Sequence, residues 1–350
     1  MKALLLSEYK QLAVVDLPIP VPGPSEVLVQ VAACGICGSD VHGYDGSSGR
    51  RIPPLIMGHE AAGTIAAVGS EISGLAEGDR VTFDSTAYCG LCEFCHRGEI
   101  NLCNNRQVIG VSCAEFKRDG AFAEYVTVPA HIVYRLPDTL VFAEAAMLEA
   151  VSVALHAIRV SELEGGETAL VIGAGMIGLL TLQAARAAGC SRVFVADVDA
   201  TRLKLAAELG ADATIHADES GIVQEILNHT ASHGVDVVFE AVGRSETVAT
   251  AIDCVRKGGK VTLIGNIARD VSMPLQKVVT RQIRLQGSCA SAGEYPEAME
   301  LISSGKIRVD PLITAIAPLS DGHTWFQRLY DREPNLMKVI LDPRSNEVQQ

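Results

Sequence analysis

Residues 168–178 have the sequence TALVIGAGMIG, in which a short apolar run leads directly into a G-x-G-x-x-G pattern. The glycines of this pattern are Gly173, Gly175 and Gly178. After a buried strand, the first glycine permits a tight turn, the second lets a pyrophosphate approach the backbone, and the third lets a helix pack closely on the strand. The next helix would begin near Met176 and Ile177, and a helix N-terminus favours phosphate. The segment therefore predicts a dinucleotide-binding strand, turn and helix.

An acidic residue stands at the end of the next predicted strand. Asp197 lies 19 residues after the last glycine, where a carboxylate can accept hydrogen bonds from both hydroxyls of an adenosine ribose. We expect NAD rather than NADP, because a 2′-phosphate would face this charge and Val198 offers no arginine. Asp199 is an alternative for this role, and a helix cap is the structural alternative for Asp197. Arg202 is expected to line the adenine side and Val242 to border the nicotinamide ribose.

Strands and helices alternate from about residue 150 onward, which is typical of a doubly wound α/β domain with a parallel sheet. The six candidate strands are Thr168–Ile172, Arg192–Ala196, Ala213–His216, Asp236–Phe239, Lys260–Ile264 and Ile283–Gly287. Earlier in the chain, short β-rich runs separated by glycine and proline predict a second, β-rich domain. Examples are Val27–Val31, Ala62–Val68 and Ala121–Val128.

These patterns predict three consecutive parts. They are a β-rich domain over residues 1–150, a dinucleotide-binding domain over 151–287, and a return to the first domain over 288–350. The last part carries predicted helices near Tyr295–Ser303 and Thr324–Asp331 and a predicted strand at Met337–Leu341. One helix, predicted at Ala143–Val160, crosses the first boundary.

The composition indicates a folded protein of enzyme size. The 350 residues are 48% hydrophobic and 20% charged, which is sufficient for two apolar cores. A formal net charge of −13, from 29 basic and 42 acidic side chains, opposes attraction to nucleic acid or anionic lipid. The sequence shows no hydrophobic segment of signal-peptide length at its start and no apolar run of 18 residues. We expect a cytoplasmic protein without nucleic-acid or membrane partners.

Four of the ten cysteines lie in one short segment with the spacing C-x2-C-x2-C-x7-C. They are Cys89, Cys92, Cys95 and Cys103. Four thiolates complete the tetrahedral coordination of Zn²⁺ and leave no open position, so the spacing predicts a structural zinc site. Reduced surface thiols and an iron–sulfur cluster are the alternatives. The isolated cysteines are interpreted as small buried hydrophobic residues. They are Cys113, Cys190, Cys254 and Cys289.

A second set of candidate metal ligands lies in the sequences CGSDVH at 37–42 and GHE at 58–60. Cys37, His59 and Glu60 offer a thiolate, an imidazole and a carboxylate. A catalytic zinc site needs about three protein ligands and an open position, and Asp40 could orient the histidine. A core histidine and a solvated loop carboxylate are the structural alternatives.

Together these residues resemble the zinc-dependent medium-chain dehydrogenase/reductase superfamily. Within it they are similar to the polyol (sorbitol-like) dehydrogenases and their threonine and butanediol dehydrogenase relatives. The resemblance covers essentially the whole chain and includes LEAVSV at 148–153. It implies a GroES-like β-rich catalytic domain plus a Rossmann domain. Alcohol dehydrogenases of the superfamily have a second ligating cysteine at the position of Glu149, so either Glu149 or Glu60 would complete the catalytic zinc site with Cys37 and His59.

The resemblance also implies roles around the substrate. Ser39 would hydrogen-bond the substrate hydroxyl, His42 would pass its proton to solvent, and the chain would form a homodimer or homotetramer. Sorbitol dehydrogenases carry an arginine and a tyrosine in the substrate cleft where this chain has Ala290 and Ser291. Sorbitol is therefore not the substrate we expect.

We predict a zinc- and NAD-dependent enzyme with two zinc ions per chain. It would reversibly oxidise a secondary alcohol on a polyol, sugar alcohol or sugar-phosphate-like metabolite to the ketone, with the hydride passing to nicotinamide. The predicted catalytic residues are Ser39, His42, Glu60 and Glu149. L-Threonine 3-dehydrogenase and 2,3-butanediol dehydrogenase are alternatives among enzymes, and a non-catalytic NAD(H)-binding metalloprotein is the alternative from another class.

Overall fold

The chain divides into two compact units in a computed structural model that describes residues 1–112, 116–217 and 221–345. The first unit comprises Met1–Glu149, Tyr295–Ser303 and Val309–Gln350, and the second comprises Ala150–Glu294 and Ser304–Arg308. Cys113, interpreted above as a buried residue, lies outside the described residues.

The first unit consists mainly of β-strands. Up to residue 149 its strands are β1 (Lys2–Glu8), β2 (Gln11–Asp16), β3 (Glu26–Gly35), β4 (Leu55–Ile56), β5 (Glu60–Val68), β6 (Arg80–Phe83), β7 (Thr86–Ala87), β8 (Gln107–Val108), β9 (Tyr125–Pro129) and β10 (Val133–Arg135). The helices are α1 (Gly38–Tyr44), α2 (Glu93–His96), α3 (Phe142–Ala145) and α4 (Leu148–Val160), the last of which continues into the second unit.

The second unit contains a parallel sheet with helices between its strands. The strands are β11 (Thr168–Ile172), β12 (Arg192–Asp197), β13 (Ala213–His216), β14 (Val235–Glu240), β15 (Val255–Leu263) and β16 (Arg284–Gly287). The helices are α5 (Met176–Ala187), α6 (Ala200–Glu208), α7 (Ile222–His229), α8 (Ser245–Cys254) and α9 (Leu275–Thr280). The spatial order β13-β12-β11-β14-β15-β16 is that of a doubly wound dinucleotide-binding fold. The predicted fold class is confirmed.

The last part of the chain completes the first unit. It contains α10 (Tyr295–Ser303), β17 (Ile313–Pro318), α11 (Gly322–Tyr330) and β18 (Lys338–Asp342). In the larger sheet of the first unit the strands follow the order β10-β6-β5-β3-β18-β17, with β9 also paired to β3. Because β3 lies between β5 and β18, the end of β3 is adjacent both to Glu60, which pairs with Gly35, and to β18.

The second unit extends beyond residue 287, after which the sequence predicted a return to the first domain. The second unit continues to Glu294, which is completely buried. The Glu294 carboxylate lies 2.9 Å from both His156 and Arg159, and these ion pairs fix the segment to α4 within this unit. Residues 304–308 also belong to the second unit, because the Gln183 side chain exchanges two hydrogen bonds with the backbone of Arg308.

Two predicted elements differ from the structure. The single helix predicted at Ala143–Val160 is interrupted, so that α3 ends at Ala145 and α4 begins at Leu148. The strand predicted at Ala121–Val128 begins only at Tyr125. The preceding residues form other backbone bonds, since Leu4 N donates to Phe122 O at 2.8 Å.

The isolated cysteines are only partly as expected. Cys190 and Cys254 are buried, at 6% and 0% exposure, whereas Cys289 is exposed, so the interpretation of Cys289 was wrong. It lies in the segment between β16 and α10. No helix in the described part of the chain combines the length and apolar character needed to span a bilayer.

Candidate metal centres and cofactor site

The four cysteines of the lobe, defined as residues 89–103, converge on one point. Their Sγ atoms all lie within 4.8 Å of one another. Cys92 and Cys95 are 3.5 Å apart and Cys89 and Cys95 are 4.0 Å apart. Tetrahedral zinc with bonds of about 2.3 Å requires sulfur–sulfur distances of about 3.8 Å. The lobe therefore fits a zinc ion enclosed by four thiolates.

The lobe backbone favours thiolate charge at one end of the cluster. The backbone N–H of Leu91 donates to Cys89 Sγ at 3.5 Å, and this bond is the main cause that lowers the pKa of Cys89 to about 6. Burial and the neighbouring Cys92 sulfur raise the pKa of Cys95 to about 12. Zinc binding to these thiols must therefore displace at least the Cys95 proton near neutral pH.

The second cluster is assembled by the pairing of β3 with β5. Cys37 follows β3 as the N-cap of α1, and Glu60 begins β5 opposite Gly35. One ligand atom each from Cys37, His59 and Glu60 lies within 4.8 Å of the others. His59 is 6% exposed and Glu60 is 1% exposed, whereas Cys37 is half-buried, so two of the three candidate ligands are buried.

Asp40 and Arg51 support the histidine of this cluster. Asp40 Oδ1 lies 3.4 Å from His59 Nδ1 and accepts hydrogen bonds from Arg51 Nε at 3.1 Å and Nη2 at 2.9 Å. Burial alone would raise the pKa of Asp40, but His59 and Arg51 outweigh it and lower this pKa to about 2. The ionised carboxylate is suited to hold the His59 ring in one orientation.

Glu60 is paired with a lysine from the end of the chain. Lys338, at the start of β18, donates to Glu60 Oε2 at 2.5 Å and to the Ile36 carbonyl at 3.2 Å. Burial would lower the pKa of Lys338, but Glu60 and Cys37 raise it above its ordinary value. The lysine therefore remains charged and neutralises one carboxylate of the centre.

Glu149 lies near this centre but outside the three-residue cluster. Its carboxylate accepts a hydrogen bond from the Ser85 hydroxyl at 3.4 Å. Burial raises the pKa of Glu149 to about 7, with a further contribution from Glu60, while His59 opposes the shift. Glu149 is in the first turn of α4, at the boundary of the first unit.

The residues of the second cluster fit a zinc ion. A thiolate, an imidazole and a carboxylate are typical zinc ligands. Burial would lower the pKa of His59, yet Asp40 and Cys37 raise it well above its ordinary value. The surrounding charges thus favour a positive charge at this position, which a divalent cation supplies.

Ser39 lies in the first turn of α1 and His42 in its last turn. Both side chains are exposed. Ser39 Oγ accepts a hydrogen bond from Arg51 Nη2 at 3.1 Å, while the backbone carbonyl of His42 accepts one from Ser47. The structure thus places Ser39 two residues from Cys37 and beside the Asp40–Arg51 pair.

The three glycines of the G-x-G-x-x-G motif are needed by the backbone for different reasons. A Cβ on Gly178 would lie 1.7 Å from the Gly173 carbonyl oxygen, so close packing of helix on strand requires glycine there. A Cβ on Gly175, the N-cap of α5, would meet no protein atom within 4 Å. The protein itself leaves space at Gly175, beside Met176 and Ile177, and this space fits the pyrophosphate of a dinucleotide.

Asp197 is fixed at the end of β12. Its Oδ2 accepts from the Ala174 N–H at 2.5 Å, and its Oδ1 accepts from the Asp199 N–H at 2.9 Å. Asp199 is the cap of α6, where it accepts from two backbone N–H groups, and its carboxylate lies 3.6 Å from Arg202. The capping role considered for Asp197 belongs to Asp199.

The loop that carries Val242 is held by a buried carboxylate. Glu240, at the end of β14, accepts hydrogen bonds from the backbone N–H groups of Val242 at 3.0 Å and Gly243 at 2.9 Å. A Cβ on Gly173 would lie 2.7 Å from a Val242 methyl group. Val242 therefore packs against the first glycine of the motif.

Sequence reasoning missed Arg51, Lys338 and Glu240. A lysine within the predicted apolar strand Met337–Leu341 was a detectable signal of a buried charge. Arg51 stands in SSGRRIPP, a polar segment with no periodic pattern, so its sequence gave no comparable signal.

Comparison with known proteins agrees with this architecture. Residues 23–138 match the family described as alcohol dehydrogenase GroES-like domain, and residues 177–304 match the family described as zinc-binding dehydrogenase. The chain therefore belongs to the zinc-dependent medium-chain dehydrogenase/reductase superfamily and is an oxidoreductase. Within the superfamily it belongs to the polyol dehydrogenase branch, because its relatives include a sorbitol dehydrogenase and an L-idonate 5-dehydrogenase at 33% and 37% identity.

Individual relatives cover nearly the whole chain. Sorbitol dehydrogenase of Bacillus subtilis (strain 168) is 33% identical over 98% of this chain and 97% of its own length. L-Idonate 5-dehydrogenase of Vitis vinifera is 37% identical over 90% and 86%. The crystal structure of a zinc-binding dehydrogenase from Sinorhizobium meliloti 1021, bound to NADP, has a TM-score of 0.89 at 34% identity and covers 98% of this chain and 99% of that one. Zinc and a nicotinamide cofactor are thus properties of this family.

Proposed function

We propose that the protein reversibly oxidises a secondary alcohol on a polyol, sugar alcohol or sugar-phosphate-like metabolite to the ketone, with NAD⁺ as hydride acceptor. The observation that carries this proposal is the cluster of Cys37, His59 and Glu60, whose ligand atoms lie within 4.8 Å of one another and of which His59 and Glu60 are buried. It occurs in a chain whose second unit carries the dinucleotide motif. The names of the relatives above support the polyol class.

The chain's own residues would divide the work as follows. Cys37 and His59 would hold the catalytic zinc together with Glu60 or Glu149, and the lobe cysteines would hold a second, structural zinc. When bound, zinc lowers the pKa of an alcohol hydroxyl and nicotinamide accepts the hydride. Ser39 would take up the hydroxyl proton and His42, exposed on the same helix, would release it to solvent.

A substrate panel tests the reaction. Polyols, sugar alcohols, sugar phosphates, L-threonine and 2,3-butanediol would each be supplied with NAD⁺ while NADH absorbance is followed. We expect the highest kcat/KM with a polyol or its phosphate. Higher kcat/KM with threonine or butanediol would contradict the polyol assignment, and no turnover of any alcohol by zinc-replete protein would favour a non-catalytic NAD(H)-binding role.

The preference for NAD⁺ rests on Asp197. Two unit charges about 4 Å apart repel by roughly 4 kcal/mol at an effective dielectric constant near 20, before salt screening. Because 1.4 kcal/mol corresponds to tenfold, we expect kcat/KM for NAD⁺ to exceed that for NADP⁺ at least tenfold. Asp197→Asn keeps an oxygen acceptor for Ala174 N–H but removes the charge, and should narrow the preference. Equal kcat/KM for both cofactors in the unmodified protein would contradict this assignment. Both cofactors need to be measured because one similar structure is bound to NADP.

A homodimer or homotetramer is the proposed assembly. Strand β16 ends the order of the parallel sheet. Exposed apolar side chains precede it in the sequence, among them Val271, Leu275 and Val279 at 40%, 58% and 69% exposure. Sedimentation analysis of the protein and of Val279→Glu would test whether this region forms the contact, and a monomeric unmodified protein would contradict it.

A further inference from the structure

Arg51 is a buried arginine that contacts two residues of the proposed active site at once. It is 3% exposed, and its Nη2 atom lies 3.1 Å from Ser39 Oγ and 2.9 Å from Asp40 Oδ1. Its Nε atom also donates to Asp40 Oδ1, at 3.1 Å. One rigid guanidinium therefore joins the Ser39 hydroxyl to the carboxylate that faces His59.

The surrounding backbone is arranged to accept this side chain. A Cβ on Gly43, in α1, would lie 2.0 Å from Arg51 Cγ and 2.7 Å from Arg51 Cβ, so the arginine stem crosses the helix where a side chain is missing. Ser112 fixes the chain on both sides, because its N–H donates to the Arg50 carbonyl at 3.1 Å and its carbonyl accepts from Ile52 N–H at 3.0 Å.

The contact with Arg51 constrains the Ser39 hydroxyl. Arginine has five N–H donors and no acceptor, so the hydroxyl can only accept from it. The single hydrogen of Ser39 must then point to another partner, and one lone pair remains to accept a hydrogen bond. A hydroxyl that must receive one proton and release another needs this arrangement.

We propose that Arg51 is a positioning residue that orients the Ser39 hydroxyl for proton transfer from the substrate alcohol and connects it to the Asp40–His59 pair. This inference rests on the proposed function. In the step it serves, the alcohol proton bonds to Ser39 Oγ while the original Ser39 proton leaves toward His42. The carbinol C–H bond breaks as a hydride moves with both electrons to NAD⁺, which is reduced as the alcohol becomes a ketone.

Arg51→Lys separates this role from simple charge balance. Lysine keeps a positive charge beside the buried Asp40 but lacks the planar fork that reaches two partners. We expect kcat to fall about 10- to 100-fold, which is the usual effect of replacing a residue that orients a group of a metal site through a hydrogen bond. Zinc content by metal analysis and NADH affinity by fluorescence should stay unchanged.

A double-variant comparison tests whether Arg51 acts through Ser39. In a Ser39→Ala background, Arg51→Lys should change kcat less than about twofold, because the hydroxyl it orients is already absent. An equal fold-loss in both backgrounds, or a loss that follows zinc content, would overturn the proposal. Full kcat in Arg51→Lys would also overturn it while leaving the dehydrogenase assignment intact, whereas an unmodified protein that turns over no alcohol would overturn both.

Gly43→Ala tests the same role of Arg51 without removing any polar group. The added methyl group should displace the arginine stem and reduce kcat in the same direction as Arg51→Lys. Gly38→Ala is the matched control, since Gly38 lies in the same helix and its Cβ would meet no atom within 4 Å. Similar effects of the two alanines would contradict the proposal.

Discussion

The two candidate metal centres of this protein are built in opposite ways. The lobe takes all four ligands from residues 89–103, and the adjacent Asn105 donates hydrogen bonds to the sulfurs of Cys89 and Cys103. The centre at Cys37 joins β3 and β5, and Lys338, 278 residues after Glu60, completes its charge balance.

The difference shows what each construction provides. In the lobe, four thiolates that are close in sequence, with backbone N–H groups as donors to them, can complete the tetrahedral coordination of zinc without residues from the rest of the fold. A buried centre with several charges needs partners from other elements, because an unpaired charge in the interior is costly. Those partners, Asp40, Arg51 and Lys338, also hold the ligands in fixed orientations.

Replacing one cysteine in each centre should give the largest difference between the centres, which we expect in kcat and Tm. Cys37→Ser is expected to reduce kcat at least 10³-fold, since the loss of metal-assisted catalysis is equivalent to several kcal/mol in the barrier. Cys92→Ser should retain most of the kcat of its folded fraction but lower the Tm, because structural zinc contributes to folding. Steady-state kinetics, zinc analysis and calorimetry on both variants check this. If Cys92→Ser loses turnover while staying folded at unchanged Tm, the division of roles is wrong.

The ion pairs near the two centres should differ in their contribution to stability. Lys338→Met leaves Glu60 charged and buried without its partner, and we expect the free energy of unfolding of the zinc-free protein to fall by about 3–5 kcal/mol. Arg97→Met breaks the pair of Arg97 with Glu99 near the lobe, where both side chains are about half exposed, and should leave the urea midpoint unchanged. Urea titrations in chelator measure both.

The double variant Lys338→Met/Glu60→Gln provides the control for this comparison. Removing both charges should recover much of the lost stability, since the penalty comes from one unpaired charge. An equal loss in the single and double variants would show that packing of the lysine stem, rather than charge, is the cause.

The two centres should also differ in how zinc binding depends on pH in the acid range. Zinc ligands must be deprotonated, and the lobe presents four thiols whereas the other cluster presents one thiol and one imidazole besides its carboxylates. The lowered pKa of Cys89, about 6, means that this thiol is reprotonated as the pH falls through 6, and zinc affinity decreases as the pH falls. The Asp40 pKa of about 2 keeps that carboxylate ionised over the same range.

We therefore expect zinc release from the lobe to be the steeper of the two with pH. Zinc release from Cys37→Ser reports the lobe, and release from Cys92→Ser reports the buried centre, each followed with a zinc-sensitive dye. The expected difference would be contradicted if zinc release from Cys92→Ser depended on pH as steeply as zinc release from Cys37→Ser, or more steeply.

The sequence was most informative where structure is local. The lobe spacing and the glycine motif depend on residues within a few turns of each other, and both were predicted as units. The interruption between α3 and α4 was not predicted, because residues 142–150 contain no proline or glycine to signal it. That interruption places Glu149 in the first turn of a helix.

Long-range pairings could not be derived from one sequence. Nothing in the sequence near Glu60 indicates that its partner is Lys338, since the contact exists only after β18 pairs with β3. Arg51 is a similar case, because its contact with Ser39 depends on the space left by Gly43. In both cases the predicted ligands are fixed by residues whose role only tertiary structure reveals.

The pairing of β18 with β3 also has a consequence for biosynthesis. A ribosome adds about 5–20 residues per second, so Lys338 follows Glu60 after roughly 14–56 s. Throughout that interval the nascent first unit lacks β18, and the whole second unit is synthesised in between. The Glu60 carboxylate thus acquires its counter-charge only after the second unit has been synthesised. A ribosome stalled before residue 338 would therefore carry all four cysteines of the lobe, together with a Glu60 carboxylate that still lacks its lysine partner.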